Sequence, residues 1–212
     1  QGVAADIEVI RLMLTTLTAA GATAIHLDLG HVTVFRELAK AAGLSAELEA
    51  QLFDIYQRKS IPELNDLLPQ LPHSEWFAAL GQLSGQITVL AQADILLADA
   101  PTAVHCTLND LKQVVHALQL SHPHVAISVD LSELRGYHYH TGLVFSAYTP
   151  QSASELAKGG RYDHIGEAFG RARPATGFSA DLKSLVNFFD DESILMKIFA
   201  PAHDDGALAV LV

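Results

Sequence analysis

Residues 125–148 read VAISVDLSELRGYHYHTGLVFSAY, which is a polar stretch between two apolar ones. The outer parts, residues 125–130 and 142–148, are rich in the β-branched and aromatic residues that favour strands. Between them, residues 135–140 place one arginine, two tyrosines and two histidines within six positions. This composition predicts that a polar site lies beside a sheet.

The chain before this stretch is mainly helical in pattern. Apolar side chains three and four residues apart predict a helix that is capped by Asp6 and ends near Gly21. Residues 24–29 alternate as a half-buried strand does, and a second helix is predicted over 32–42. Helical signals then repeat, which predicts a helical insertion over about 45–121.

Three capping signals mark helix starts within that insertion. Residues 60–63 form a capping box with proline in the first turn, and residues 107–110 resemble one. Ser74 is a further candidate cap. The apolar stripes that follow these signals predict buried helix faces rather than cofactor contacts.

Strands dominate after Pro123, and residues 176–180 form a last short strand before a helix from Asp181. Helices first and strands later predict an α+β fold with a mainly antiparallel sheet.

Composition disfavours several classes of partner. The 24 acidic and 13 basic residues give a net charge of −11, which repels nucleic acid. No apolar run reaches the roughly eighteen residues of a membrane span. The single cysteine, Cys106, fits a reducing cytoplasm. We expect both ends to be cut, because no initiator methionine is present and residues 207–212 resemble a buried strand.

Two further segments are polar and glycine-rich, residues 158–163 and 171–185. The paired Gly159 and Gly160 let backbone approach a ligand, beside donors on Arg161 and Tyr162. A tight turn closed by a salt bridge between Arg161 and Asp163 explains the first segment equally well.

Together these segments resemble the histidyl-tRNA synthetase branch of class II synthetases. Residues 135–142 are similar to that family's histidine-binding stretch, Arg-Gly-Leu-Asp-Tyr-Tyr-Thr-Gly, and residues 159–163 match its Gly-Gly-Arg-Tyr-Asp. Residues 174–178 resemble the start of synthetase motif 3. The resemblance implies a class II synthetase-like antiparallel sheet flanked by helices, in a fragment that lacks motifs 1 and 2.

The departures from that pattern concern the nucleotide. Ser184 stands where motif 3 has the arginine that lies against the ATP phosphates, and Asp181 stands where it has a glycine. Losing one stabilising donor costs about 2.7–4 kcal/mol of barrier, so adenylate formation is expected to be disabled. On the amino-acid side Arg135 and Tyr139 are retained, whereas His140 replaces a tyrosine.

The resemblance therefore implies a histidine-like binding pocket with no catalytic residue, no metal and no cofactor. Its expected residues are Arg135, Tyr139, His140, Gly159, Gly160, Arg161, Tyr162, Gly177 and Phe178.

The sequences of residues 28–32, 136–142 and 169–179 resemble the corresponding segments of the regulatory-subunit paralogues of ATP phosphoribosyltransferase. That resemblance implies a non-catalytic cytoplasmic subunit, which joins the short-form catalytic subunit, associates with itself and takes part in feedback by histidine. It implies a partial synthetase-like domain over 1–190 and a truncated C-terminal segment over 191–212.

Two alternatives stay open. A functional histidyl-tRNA synthetase is the nearer one, although Asp181, Ser184 and the excess of acidic over basic residues oppose it. A metal-dependent hydrolase that uses His138, His140 and Asp163 is the other, although the chain has no recognised metal-ligand spacing.

Overall fold

The computed structural model describes residues 2–164, 166–167 and 170–188. The C-terminal segment predicted over 191–212 lies outside these residues. Of the 1–190 domain, only part is described, and its limits stay a prediction.

The described chain forms eight α-helices, one short 3-10 helix and six strands. The helices are α1 (Val3–Ala19), α2 (Val32–Ala41), α3 (Ala46–Gln57), α4 (Ile61–Leu67), α5 (Ser74–Leu80), α6 (Val89–Leu96), α7 (Thr102–Ser121) and α8 (Leu182–Val186), with a 3-10 turn at Leu68–Gln70. The strands are β1 (His26–His31), β2 (Ser84–Gln86), β3 (Ala126–Asp130), β4 (Leu143–Tyr148), β5 (Ala157–Tyr162) and β6 (Ala175–Ala180).

One sheet contains all six strands, in the order β2-β3-β1-β4-β5-β6. Among the described strands, only the pairing of β1 with β3 is parallel. The other four pairings are antiparallel, so the predicted α+β class with a mainly antiparallel sheet is confirmed. The short strand β2, inside the predicted helical insertion, was not predicted from the sequence.

The sheet has one apolar face and one polar face because side chains alternate along each strand. Leu27 and Leu29 of β1, with Val129 and Phe145 of the neighbouring strands, are buried in the core. The helices α1, α2 and α7 pack together, and their buried positions complete that core. The opposite face of the sheet is left open for a site.

Several local predictions are wrong. Ser74 is the first residue of α5, whose N-cap is His73, and the Ser60 side chain does not accept a backbone N–H at the start of α4. Asp6 lies inside the first turn of α1 and is buried, so it does not cap the helix. The helix predicted from Thr107 begins at Thr102, because Pro101 precedes it and the Thr107 hydroxyl donates to the carbonyl of Ala103. The tight turn considered around Gly160 is strand β5 instead.

Asp6 ties the first helix to the last two strands. The guanidinium of Arg161 on β5 donates to the Asp6 carboxylate at 2.8 Å, and the Thr176 hydroxyl on β6 donates to the same group at 2.6 Å. Arg161 also reaches Asp163 at 3.3 Å. Only 14% of the Arg161 side chain and 8% of the Asp6 side chain are exposed, so the pair is shielded from water.

We expect Arg161→Met to cost about 3–5 kcal/mol of unfolding free energy, because it leaves the buried Asp6 charge without its cation. Urea denaturation would measure the loss. Arg58→Met is the matched control, since Arg58 forms an exposed ion pair with Asp54. A loss no larger than that of the control would contradict the structural role of the Asp6–Arg161 pair.

Candidate functional site

A row of polar side chains crosses the open face of the sheet. The strand register pairs Asp28 on β1 with Ser128 on β3 and with Ser146 on β4. It continues through Lys158 on β5 to Ser179 on β6. Directly paired residues project to the same face of a sheet, so these five side chains form one polar floor.

A cavity of about 350 Å³ lies on this floor. The chain between β3 and β4 covers it and contributes Arg135, Tyr139 and His140, which the sequence predicted. Gly159 and Tyr162 of β5, which belong to the same predicted set, also line it. The cavity has the size and mixed polar and aromatic lining of a small-molecule site.

The neighbouring row of the sheet is poor in side chains. Gly30, Val144, Gly160 and Gly177 are paired across four strands. A Cβ atom on Gly160 would lie 2.6 Å from the His140 ring, which therefore rests directly on the β5 backbone. The glycine row thus makes room for the loop that covers the cavity.

His140 is a buried, neutral member of an aromatic wall. Its ring lies 4.9 Å from the ring of Tyr162 and 4.4 Å from that of Tyr139. Burial lowers the pKa of His140, and its Nδ1 atom is buried without a hydrogen-bond partner in the described part of the chain. The three rings also border a second cavity of about 500 Å³, which Arg36 and His138 help to line.

Arg135 is held at the cavity by acidic partners. Its guanidinium lies 2.6 Å from Glu155 and 3.1 Å from Glu133, and it donates to the Tyr148 hydroxyl at 3.2 Å. Partial burial opposes its charge, but the hydrogen bonds to Glu133 and Tyr148 raise the pKa of Arg135 above its usual value. The group remains a cation and already has carboxylate partners.

Asp28, Asp130 and Glu133 line the same cavity and were missed as site residues. Lys59 neutralises Asp130 at 2.6 Å. Asp28 lies 3.4 Å from the His26 ring and, among the described residues, forms no ion pair with a lysine or arginine. An alternating strand with an acidic residue was visible in the sequence, but only the register shows that Asp28 faces the cavity.

Four predicted residues do not line either of these cavities. Gly160 lies beneath His140, and Gly177 accepts a hydrogen bond from the Tyr162 hydroxyl through its carbonyl at 3.3 Å. Phe178 packs against the core. Arg161 lies across the sheet with Asp6, because neighbouring side chains of β5 point to opposite faces.

The start of α8 carries the two departures from synthetase motif 3. Asp181 is the N-cap and accepts from the backbone N–H of Lys183 at 3.0 Å. The Ser184 hydroxyl donates to the same carboxylate at 2.8 Å. These hydrogen bonds, the one from Ser184 first, lower the pKa of Asp181, so a carboxylate stands near the position where the family has a phosphate-binding cation.

The proposed metal ligands do not form a cluster. Asp163 accepts from the Thr141 hydroxyl at 2.9 Å, and the His138 ring lies 5.2 Å from that of Phe53. His140 is wedged between glycines. Within the described residues no group of three or more histidine, cysteine or acidic side chains is arranged to hold a metal, which leaves the hydrolase alternative without support.

A mainly antiparallel six-stranded sheet, with helices on one face and a ligand-sized cavity on the other, defines a class II synthetase-like domain. The family model of histidyl-tRNA synthetase matches residues 1–185. The chain belongs to the histidyl-tRNA synthetase family.

One curated relative and two solved structures are similar to this chain. An ATP phosphoribosyltransferase regulatory subunit of Thioalkalivibrio sulfidiphilus is 51% identical over 98% of this chain and 54% of its own length. A Bacillus halodurans structure described as ATP phosphoribosyltransferase regulatory subunit/histidyl-tRNA synthetase has a TM-score of 0.78 at 24% identity, over 90% of this chain and 51% of that one. The HisG:HisZ ATP phosphoribosyl transferase complex of Thermotoga maritima has a TM-score of 0.67 at 19% identity, over 85% and 61%.

The chain therefore spans about half the length of the curated relatives that it matches. Among the helices described, none is both long and apolar enough to cross a membrane.

We expect Gly160→Ala to destabilise the fold by about 1–3 kcal/mol, because the added Cβ would overlap the His140 ring. Gly177→Ala is the control from the same row, since its Cβ would meet nothing closer than 3.8 Å. Thermal unfolding would compare the two variants, and adding His140→Ala should restore part of the Gly160→Ala loss. Equal effects of the two glycine substitutions would contradict this packing.

His31 gives the fold a dependence on pH. Burial first, then the charges of Arg161 and Arg36, lower the pKa of His31 from 6.5 to about 3. Between these values the unfolded chain binds a proton that the folded chain does not, so stability falls as the pH drops below about 6.5.

We expect His31 to contribute a loss of about 2 kcal/mol between pH 7 and pH 5, because 1.5 pH units below the unfolded pKa correspond to that energy. Urea titrations of the wild type and of His31→Gln at both pH values would measure it. The variant should lose less stability on acidification. Parallel losses in the two proteins would show that His31 is protonated in the folded state.

Proposed function

We propose that this chain is part of a non-catalytic regulatory subunit of ATP phosphoribosyltransferase, which acts in the first step of histidine biosynthesis. The observation that carries the proposal is a cavity lined by Arg135, in a domain where Ser184 stands at the position of the motif 3 cation. The name of the Thioalkalivibrio relative supports the same role.

The nucleotide side opposes adenylate chemistry. An enzyme that activates an amino acid needs positive charge against the ATP phosphates where charge develops in the transition state. Here Asp181 carries a negative charge at the start of α8, and hydrogen bonds from Ser184 and Lys183 hold it there. A phosphate close to this carboxylate would be repelled, so the domain is better suited to binding than to catalysis.

The amino-acid side is suited to a zwitterion. Arg135 is a forked cation that matches the geometry of an α-carboxylate, and Asp28 is an acceptor for an α-ammonium group. Both groups line one cavity of about 350 Å³, which has room for a single amino acid.

The aromatic wall suits a flat side chain. Tyr139, His140 and Tyr162 stand together at the cavity, and a planar imidazole can stack on such rings. Because His140 is neutral, it adds no charge that would repel a protonated histidine ligand. We propose histidine as the ligand, bound by Arg135, Tyr139, His140 and Tyr162, with Asp28 added to the set predicted from sequence.

The partner that we propose is the short-form catalytic subunit. In the hetero-oligomer, copies of the regulatory subunit would also contact one another. The Thermotoga structure, a HisG:HisZ complex that contains a chain with this fold, supports the pairing with a catalytic subunit. The net charge of −11 opposes a nucleic acid partner, and a single cysteine suits a cytoplasmic location.

Feedback would work by population shift. A ligand changes an equilibrium only through its different affinities for the two states. Histidine bound in this cavity would favour one quaternary state of the assembly and lower its activity.

We expect phosphoribosyl transfer by a short-form catalytic subunit to rise several-fold when the full-length protein is added, and histidine to reduce the rise. The assay follows phosphoribosyl-ATP formation, with an unrelated acidic protein as control. ATP–pyrophosphate exchange with histidine should stay at the blank rate. Rapid exchange without stimulation of the catalytic subunit would establish a functional histidyl-tRNA synthetase instead.

A further inference from the structure

Glu155 forms an ion pair with Arg135, which is the cation that the carboxylate of the proposed ligand needs. It lies in the connection between β4 and β5. The next residue, Leu156, donates its N–H to the Ala147 carbonyl at 2.8 Å and accepts from the Asp181 N–H through its carbonyl at 3.0 Å. The Glu155 carboxylate lies 2.6 Å from Arg135, and only 23% of its side chain is exposed. The contact is therefore built into the end of the sheet.

We propose that Glu155 determines the specificity of the cavity by competing with a ligand carboxylate for Arg135. This inference rests on the proposed histidine-binding role. Ligands that carry a carboxylate must displace Glu155, whereas ligands without one need not.

The charges around the cavity explain why displacement is required. Glu133 and Glu155 together balance the two cations Arg135 and Lys158. A ligand carboxylate adds a third negative charge to a balanced, partly desolvated cluster. Because Arg135 is about half exposed, solvent screens part of the repulsion, but the ligand carboxylate and the glutamates still compete for the same guanidinium, so one glutamate withdraws from it.

Glu155 is the glutamate that can withdraw. It also accepts a hydrogen bond from Lys158, so it keeps a cationic partner after leaving Arg135. Glu133 has no second lysine or arginine partner in the described chain, and it accepts from the backbone N–H of Arg135 at 2.8 Å. Its position is therefore fixed by the same turn that places Arg135.

Competition persists across the physiological pH range. Partial burial raises the pKa of Glu155, but the hydrogen bond from Lys158 and the charge of Arg135 outweigh burial and lower it overall. The carboxylate is therefore ionised at pH 6–9, and pH changes in that range do not release Arg135.

The test measures binding of L-histidine and L-histidinol to the full-length protein by calorimetry, because histidinol replaces the carboxylate with a hydroxymethyl group. We expect Glu155→Gln to tighten L-histidine binding about tenfold, since one charge-assisted hydrogen bond no longer has to be displaced. Histidinol affinity should change less than about twofold, because histidinol does not use Arg135 as a carboxylate partner.

Four further proteins make the result specific. Glu63→Gln removes an exposed carboxylate that pairs with Arg58 away from the cavity, and it should bind both ligands as the wild type does. Glu155→Asp retracts the carboxylate by one methylene and should give a smaller gain than Glu155→Gln. In a protein that already carries Arg135→Met, adding Glu155→Gln should give no gain for histidine.

Unchanged or weaker histidine binding by both Glu155 variants would overturn the proposal. So would an equal gain for histidine and histidinol, or no binding of either ligand to any of these proteins. Stimulation of the catalytic subunit by the wild-type protein is scored separately. A subunit that stimulates transfer but shows none of these affinity changes would keep the proposed function and lose the role of Glu155.

Discussion

The pairing of β1 between β3 and β4 is the constraint on which the site depends. It is parallel on one side and antiparallel on the other, and it fixes Asp28 opposite both Ser128 and Ser146. A shift of one residue would turn Asp28 into the apolar core and turn the side chains of Leu27 and Leu29 to the polar face of the sheet. Burying those leucines against α1, α2 and α7 therefore also positions the polar floor.

Strand β5 shows how one short segment serves both faces. Lys158, Gly160 and Tyr162 lie on the open face, where they supply charge, space and an aromatic ring. Arg161, on the other face, anchors α1 through Asp6. The match of Gly-Gly-Arg-Tyr-Asp to one family motif thus combines residues with separate physical tasks, because a strand divides its side chains between two surfaces.

The sequence was informative where the signals were local. Periodicity and glycine placement located β1, β4, α2 and the strand before α8 within a few residues. The structure brings Arg135, Tyr139 and His140 together at one cavity, and their role in ligand binding stays a prediction. Non-local pairings were out of reach: Asp6 suggested a helix cap because its partner Arg161 is 155 residues away. Asp28 and Glu155 were missed for the same reason, since each acquires its meaning from strands that meet only in the fold.

The two residues that depart from motif 3, Asp181 and Ser184, also stabilise the start of α8. A carboxylate at an N-cap satisfies free backbone N–H groups and interacts favourably with the positive end of the helix. Asp181 does this for α8, and Ser184 completes the arrangement. An arginine at Ser184 would instead compete for this carboxylate as an ion-pair partner. In a domain that does not form adenylate, as proposed here, helix capping favours Asp181 and Ser184, while the strands beneath Arg135 shape the cavity.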